Sequence, residues 1–220
     1  MKVIGSAKKR KHEKNLADNR DSITTVRIGS AAGIDGPRVY LAKGKTIEHR
    51  SMINSEIFCE NYGAPAGSCV QMTPSAYMTD EAWRSCVPII CKGIRQMEGI
   101  RDHPDWWVVF SLDGYGSHLD SEALQAFSEH KILVIKEEGD TSQVCQAYDQ
   151  EVAKEDKRIT RELLEGYKFN VAHMINQWEL IIIINEALNK VEKGDAWRNS
   201  FIRVNMCPSK RVRFTVWIEK

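Results

Sequence analysis

A continuous apolar run at residues 106–112 (WWVVFSL) constrains the fold more than any other feature of the chain. A run without alternation is typical of a strand that is covered on both faces of a sheet. A short amphipathic segment follows at 121–129, and a second apolar run lies at 131–135 (KILVI). The order strand, helix, strand predicts two parallel strands joined by a crossover helix, and therefore an α/β fold.

The neighbouring segments predict a mixed sheet with flanking helices. Residues 22–29 and 38–42 are rich in β-branched and apolar side chains and are separated by a turn containing Gly and Pro, which predicts an antiparallel hairpin. Thr79 is expected to cap a helix whose apolar side chains recur at spacings of three and four. Further helices are predicted at 146–166, 169–193 and 195–201, and a terminal strand or an extended tail at 211–217.

Composition limits the classes of protein and of partner. The 220 residues include 31 Lys and Arg against 30 Asp and Glu, so any strongly basic surface must be local. No stretch approaches the ~20 apolar residues that cross a bilayer, and the first residues lack the apolar segment of a signal peptide. The six cysteines contain no CxxC pair, which favours reduced, structural thiols in an intracellular protein.

The strongest local charge is a basic run within the polar segment 1–21. It consists of Lys8, Lys9, Arg10 and Lys11. Such runs occur in nuclear localisation signals and phosphate-binding patches, and also in solvated surface loops. We assign this run to nucleic-acid binding, with a solvated loop as the alternative.

Two carboxylates are the candidates for chemistry. Asp113 follows the buried strand at 106–112, where α/β sheets place their ligands, and Gly114 permits a sharp exit from the strand. Asp149 lies at the start of the helix that follows the next strand. Because neighbouring parallel strands end at the same edge, the two acids are expected to lie close together. Paired carboxylates there could bind Mg²⁺ through oxygen ligands.

The segment at 111–118 (SLDGYGSH) resembles the L-D-G-H-x-S-H segment of the DDE superfamily endonucleases, the transposase catalytic domains of pogo, Tigger and jerky type. The hairpin with the Lys-Gly-Lys at 43–45 resembles the family's hairpin. Residues 146–149 (QAYD) resemble the family's Q-P-L-D, and residues 200–208 its trailing segment. The resemblance covers roughly residues 1–208.

The resemblance implies an RNase H-like fold in which three acids bind two divalent ions, Mg²⁺ or Mn²⁺, for DNA strand cleavage and transfer. Asp113 matches the second acid and Asp149 the third. His118 matches the histidine after the second acid, either as a neighbour of the site or as a helix-start residue bonded to backbone. On this basis residues 22–166 are assigned to the RNase H-like core and 167–220 to a C-terminal helical extension.

The chain departs from the family at the first acid. In the family this acid lies on a central first strand, which would precede residue 2. Asp18, Asp21 and Asp35 are early acids, but none ends a buried strand. The sheet is therefore expected to lack its first strand, which would leave the hairpin and the parallel pair without a shared neighbour.

These observations predict a transposon-derived DDE endonuclease-like domain that binds DNA in the nucleus and is inactive because its first acid is absent. The alternatives are a domesticated, non-catalytic module that binds nucleic acid or protein, and a piece of a longer, active two-metal nuclease. No membrane partner is expected, and association with a second copy of the chain is left open.

Overall fold

The computed structural model describes residues 23–44, 59–112, 120–136, 147, 151–170, 175–191, 196–204, 206 and 215–219, with backbone alone at 168–170 and 215–219. The described strands are β1 (Thr24–Ser30), β2 (Asp35–Lys43), β3 (Cys69–Thr73), β4 (Val108–Leu112), β5 (Ile132–Lys136) and β6 (Thr215–Glu219). The longer helices described are α1 (Asp80–Gln96), α2 (Ser121–Glu129), α3 (Val152–Asn170), α4 (Gln177–Val191) and α5 (Ala196–Arg203). The predicted α/β class is confirmed.

The strands form one six-stranded sheet in the order β3-β2-β1-β6-β4-β5. The predicted hairpin is confirmed, since β1 and β2 pair antiparallel. The predicted parallel pair is confirmed as well, with β4 and β5 paired in parallel on either side of α2. Strand β3 was not predicted; it pairs in parallel with β2, and its sequence (CVQMT) has too little alternation to be recognised.

Strand β6 occupies the place between the hairpin and the parallel pair. It pairs antiparallel with β1 and in parallel with β4. The expectation that these two units lack a shared neighbour is therefore wrong. Of the two predictions for 211–217, a strand is confirmed for residues 215–217. Residues 215–219, which the sequence assigned to a helical extension, are backbone partners at the centre of the sheet.

One face of the sheet is covered by α1 and α2 through an apolar core. Thr79 caps α1 as predicted, since its Oγ1 accepts a hydrogen bond from the Ala82 backbone N–H at 3.2 Å. Phe110 of β4 packs against Phe127 of α2 with ring centroids 5.2 Å apart, and Trp83 of α1 lies 6.2 Å from the same ring. All three rings are fully buried. These contacts hold the crossover helix on the sheet.

The opposite face is covered by α3, α4 and α5. Successive side chains of a strand point to opposite faces, so Val39 and Leu41 of β2 belong to the first core while Tyr40 faces α4. Trp197 and Phe201 of α5 form a separate apolar cluster on this side. Among the described helices, none is long and apolar enough to span a membrane.

The cysteines within the described residues are buried free thiols. They are Cys59, Cys69, Cys86 and Cys91. This agrees with the predicted structural thiols; Cys145 and Cys207 lie outside the described residues.

Candidate functional site

The residues predicted for catalysis and DNA binding lie outside the described residues. They are Asp113, His118, Asp149, Lys8, Lys9, Arg10 and Lys11. Leu112, the last residue of β4, directly precedes Asp113 in the sequence. Leu112 pairs with Ile218 in β6, so the carboxyl ends of these two central strands lie side by side.

Of the three acids considered as replacements for the first acid, the structure describes Asp35. Both of its carboxylate oxygens accept hydrogen bonds from other side chains. Its Oδ1 accepts hydrogen bonds from Arg27 Nη2 at 2.7 Å and from Trp197 Nε1 at 2.9 Å. Its Oδ2 accepts from Arg38 Nε at 2.9 Å and from Arg38 Nη2 at 2.6 Å. Since two guanidinium groups and an indole N–H surround this carboxylate, it is not placed to serve as the first acid of a metal site.

Asp35 lies at the centre of a buried ion network that sequence reasoning missed. Arg27 of β1 extends past Asp35 to α3, where its Nη1 donates to Asp156 Oδ2 at 2.7 Å. Its guanidinium carbon also lies 5.7 Å from the centre of the Trp197 ring on α5. Two arginines, Arg27 and Arg38, and two aspartates, Asp35 and Asp156, thus balance in charge inside the protein.

The second branch of the network runs from β2 to α4. Arg38 Nη1 donates to Asn185 Oδ1 at 2.6 Å and to Asn189 Oδ1 at 2.7 Å. The Tyr40 hydroxyl donates to the same Asn185 oxygen at 2.7 Å. Burial raises the pKa of Tyr40, which keeps the phenol protonated and able to donate. The network therefore links the β1–β2 hairpin by hydrogen bonds to α3, α4 and α5, the three helices on this face.

Two grooves open between the helices on this face. One, of about 390 Å³, has an apolar floor that includes Leu164, Ile184 and Leu188, and it reaches Thr25 and Asp156. Arg27 pairs with Glu219, the last residue of β6, and Thr25 lies two residues before Arg27 in β1. Since β4 and β6 run in parallel and end side by side, this groove opens near the carboxyl ends of these two strands.

The second groove, of about 630 Å³, is bounded by α3, α4 and α5. Its charged lining is mixed: Arg158 pairs with Glu155 and Glu162, and Arg203 pairs with Glu151. Because most of these cations already have carboxylate partners, the groove is a surface of paired charges and is not a strongly positive one.

The described residues do not include the ligands of the two-metal site that the resemblance implies. Within the described ranges, no group of three or more His, Cys, Asp or Glu side chains could hold a metal ion. The ligands expected from the sequence, Asp113 and Asp149, lie outside those ranges, and Asp35 is engaged by arginine.

Two sequence signals could have revealed the buried network. Arg27 and Arg38 each lie inside a predicted strand, next to Val26 and Val39. A charged side chain that is buried in a sheet needs a partner of opposite charge.

Comparisons of the chain with protein-family models, with curated proteins and with solved structures found no match.

Proposed function

We propose that this chain is a transposon-derived, RNase H-like domain of DDE endonuclease type that binds DNA without cleaving it. The observation that carries the proposal is the position of β6. In the family that the sequence resembles, the first strand is central and is shared by the hairpin and the parallel pair. Strand β6 lies between β1 and β4, next to the same two units.

The proposal that the chain does not cleave DNA rests on the sequence of the central strand. The family's first acid lies on that strand, whereas β6 (TVWIE) contains one acidic residue, Glu219, at its end. Glu219 follows Ile218, the partner of Leu112, and itself pairs with Arg27 of β1. Residues 215–219 (TVWIE) do not resemble the segment that carries the family's first acid, so we assign no cleavage to the chain.

DNA binding is proposed through the basic run at 8–11, whose four cations would contact phosphates. Each phosphate contact releases condensed counterions, so affinity should fall steeply with salt. The test is the dissociation constant for a duplex of random sequence, measured between 50 and 200 mM salt. We expect replacement of Lys8, Lys9, Arg10 and Lys11 by Ala to weaken binding. The slope of the logarithm of the association constant against the logarithm of the salt concentration should become less steep by up to about 0.9 per lost phosphate contact.

The matched control replaces four surface basic residues elsewhere, Lys92, Arg101, Lys131 and Arg198, by Ala; each is exposed or half-buried. This control changes net charge equally, so an identical loss of affinity in both variants would contradict a specific role for residues 8–11.

The absence of cleavage is tested on supercoiled DNA with Mg²⁺ or Mn²⁺. Nicking that is lost in both Asp113→Ala and Glu219→Gln would show an active site and contradict that part of the proposal.

A further inference from the structure

A cavity of about 310 Å³ opens between the end of β3 and the first turns of α1. Its lining includes Met72 and Thr73 of β3 and Glu81, Ala82 and Ser85 of α1. Strands β2 and β3 are parallel and their last residues are register partners, so the cavity lies beside the carboxyl ends of two strands. Ligands of α/β sheets commonly bind at such strand ends, and a volume of about 300 Å³ is enough for a small molecule.

The side chain of Thr73 is the reason to regard this cavity as a binding site. Thr73 is 2% exposed, and among the described residues its Oγ1 has no hydrogen-bond partner. Its backbone carbonyl oxygen, in contrast, accepts a bond from the Gly44 N–H at 3.0 Å. A buried hydroxyl group without a hydrogen bond is costly. A polar group of a molecule bound in the cavity would supply the missing bond.

The alternation of β3 directs the Thr73 side chain towards α1. Cys69 belongs to the core that includes α1, whereas Val70 belongs to the core on the opposite face. Thr73 lies four residues after Cys69 and therefore shares its face. On the helix side of the cavity, the Ser85 hydroxyl donates to backbone carbonyl oxygens of α1 at 3.0 and 3.1 Å, so its oxygen faces a ligand as an acceptor.

The charge of the cavity favours a cation. Of the described residues that line it, Glu81 alone carries a charge. Lys43 is the register partner of Thr73, but it is exposed and does not line the cavity. The N-terminus of a helix ordinarily attracts an anion, yet the first turn of α1 already carries Asp80 and Glu81. The cavity therefore combines hydrogen-bond acceptors with a negative charge.

We propose that this cavity binds a small alkylammonium ion, whose ammonium group donates to Thr73 Oγ1 and is attracted by the Glu81 carboxylate. An ammonium group has three donors and no acceptor, which suits a lining of hydroxyl and carboxylate oxygens. The methylene groups of the ligand contact the apolar part of the lining, which includes Met72, Pro74 and Ala82. The site is independent of the proposed DNA binding, since the basic run at 8–11 takes no part in it.

The experiment follows ¹H–¹⁵N correlation spectra of the full, ¹⁵N-labelled chain during titration with n-butylammonium chloride at neutral pH. Sodium chloride holds the ionic strength constant. We expect saturable shifts of the backbone amides of Thr73, Ala82 and Ser85. The control compound is 1-butanol, which has the same carbon chain and no charge, so it should bind at least about tenfold more weakly.

Substitutions test the two groups assigned to the ammonium ion. Thr73→Val removes the hydroxyl at nearly constant size, and Glu81→Gln removes the charge. Each should weaken butylammonium binding by about tenfold, whereas Thr73→Ser should retain it. The matched control is Glu122→Gln, because Glu122 is also an exposed acid at the second position of a helix. Without ligand, Thr73→Val should melt no lower than the wild-type chain, since it buries one polar atom fewer.

Several results would overturn the proposal. The absence of saturable shifts would show that the cavity holds water alone, and equal binding of 1-butanol would show that it does not select a cation. Unchanged affinity in Thr73→Val or in Glu81→Gln would remove the group in question from the site. An equal loss in Glu122→Gln would reduce the effect to general charge attraction. If Thr73→Val does not fold, Thr73→Ser and Glu81→Gln decide the outcome.

Discussion

Arg27 and Arg38 are direct cross-strand partners in the β1–β2 hairpin, and both side chains are buried. Like charges opposite each other in a sheet are destabilising. Here the Asp35 carboxylate bonds to both guanidinium groups, with Oδ1 on Arg27 and Oδ2 on Arg38. The hairpin thus depends on an acid at the start of β2 and on further acceptors from α3 and α4.

Removing the charge of Asp35 should be strongly destabilising. Asp35→Asn keeps the side-chain size but leaves two buried cations without their shared anion. We expect the free energy of unfolding to fall by about 3–5 kcal/mol, as measured by urea denaturation. The control is Asp105→Asn: the Asp105 side chain is 92% exposed and pairs with Lys131, so its loss should cost under about 1 kcal/mol. Equal effects of the two substitutions would contradict the buried network.

Gly29 should tolerate no side chain, because Trp197 lies directly over it. A Cβ added at Gly29 would lie 2.1 Å from two atoms of the indole ring. Gly29→Ala should therefore lower the free energy of unfolding by about 1–3 kcal/mol through overpacking. Gly166→Ala in α3 meets nothing within 4 Å and should instead raise it by up to about 1 kcal/mol.

The cause of the Gly29 effect can be isolated with a double-mutant cycle. In a Trp197→Ala background the clashing ring is absent, so Gly29→Ala should cost much less than in the wild-type chain. An undiminished cost would assign the effect to the strand backbone and not to the docking of α5.

Cys91 should make stability depend on pH in the alkaline range. Burial raises the pKa of this thiol from 9.0 to about 12. The folded state therefore holds its proton where the unfolded state releases it. The stabilisation is fully present below pH 9 and is lost as the pH rises from 9 towards 12, by about 1.4 kcal/mol per pH unit.

The Cys91→Ala variant provides the comparison, since it removes this titration. Urea denaturation at pH 7 and pH 10 should show that the wild-type chain loses more stability than the variant does. In addition, iodoacetamide should not alkylate Cys91 at pH 8 until the protein is unfolded. A wild-type chain that gains stability relative to the variant at pH 10 would contradict the buried, protonated thiol.

Asp120 should both cap α2 and hold a lowered pKa. Its Oδ1 accepts a hydrogen bond from the Glu122 backbone N–H at 2.8 Å, and Arg84 donates to its Oδ2. These bonds, that of Arg84 foremost, hold the pKa of Asp120 below 3.8. A carboxyl ¹³C titration should therefore show a midpoint under 3.8, and the stabilising effect should be lost as the pH falls below this value.

Two variants separate the cap from the ion pair at Asp120. Asp120→Asn keeps an oxygen that can cap the helix, whereas Asp120→Ala keeps neither contribution. We expect the melting temperature to decrease in the order wild type, Asp120→Asn, Asp120→Ala. If both variants melt together at the wild-type temperature, the side chain contributes neither a cap nor an ion pair.

The predictable parts of the fold are those set by local signals. The hairpin, the α1 cap at Thr79 and the β4–α2–β5 crossover depend on residues close in sequence, and each is found in the structure. The predicted strand at 106–112 begins two residues late, because Trp106 ends a turn and Trp107 is exposed. Apolar content alone did not distinguish the half-buried Trp106 and the exposed Trp107 from residues of a buried strand.

The parts that sequence reasoning missed depend on distant segments. The position of β6 is set by the edges of β1 and β4, which lie far from it in the sequence. The local alternation at 211–217 can therefore predict a strand, but it cannot predict which strands lie next to it. The burial of Arg27 depends in the same way on Asp156, at a separation of 129 residues. The candidate site is a prediction from resemblance, since Asp113, Asp149 and His118 lie outside the described residues.

The most direct test of the account is whether one residue of β6 contacts both halves of the sheet. Ile218 pairs with Ile28 of β1 and with Leu112 of β4. Backbone NOE spectra of the labelled full chain should therefore connect Ile218 to both residues. If Ile218 shows contacts to only one of them, or to neither, β6 does not complete the sheet, and the RNase H-like proposal fails.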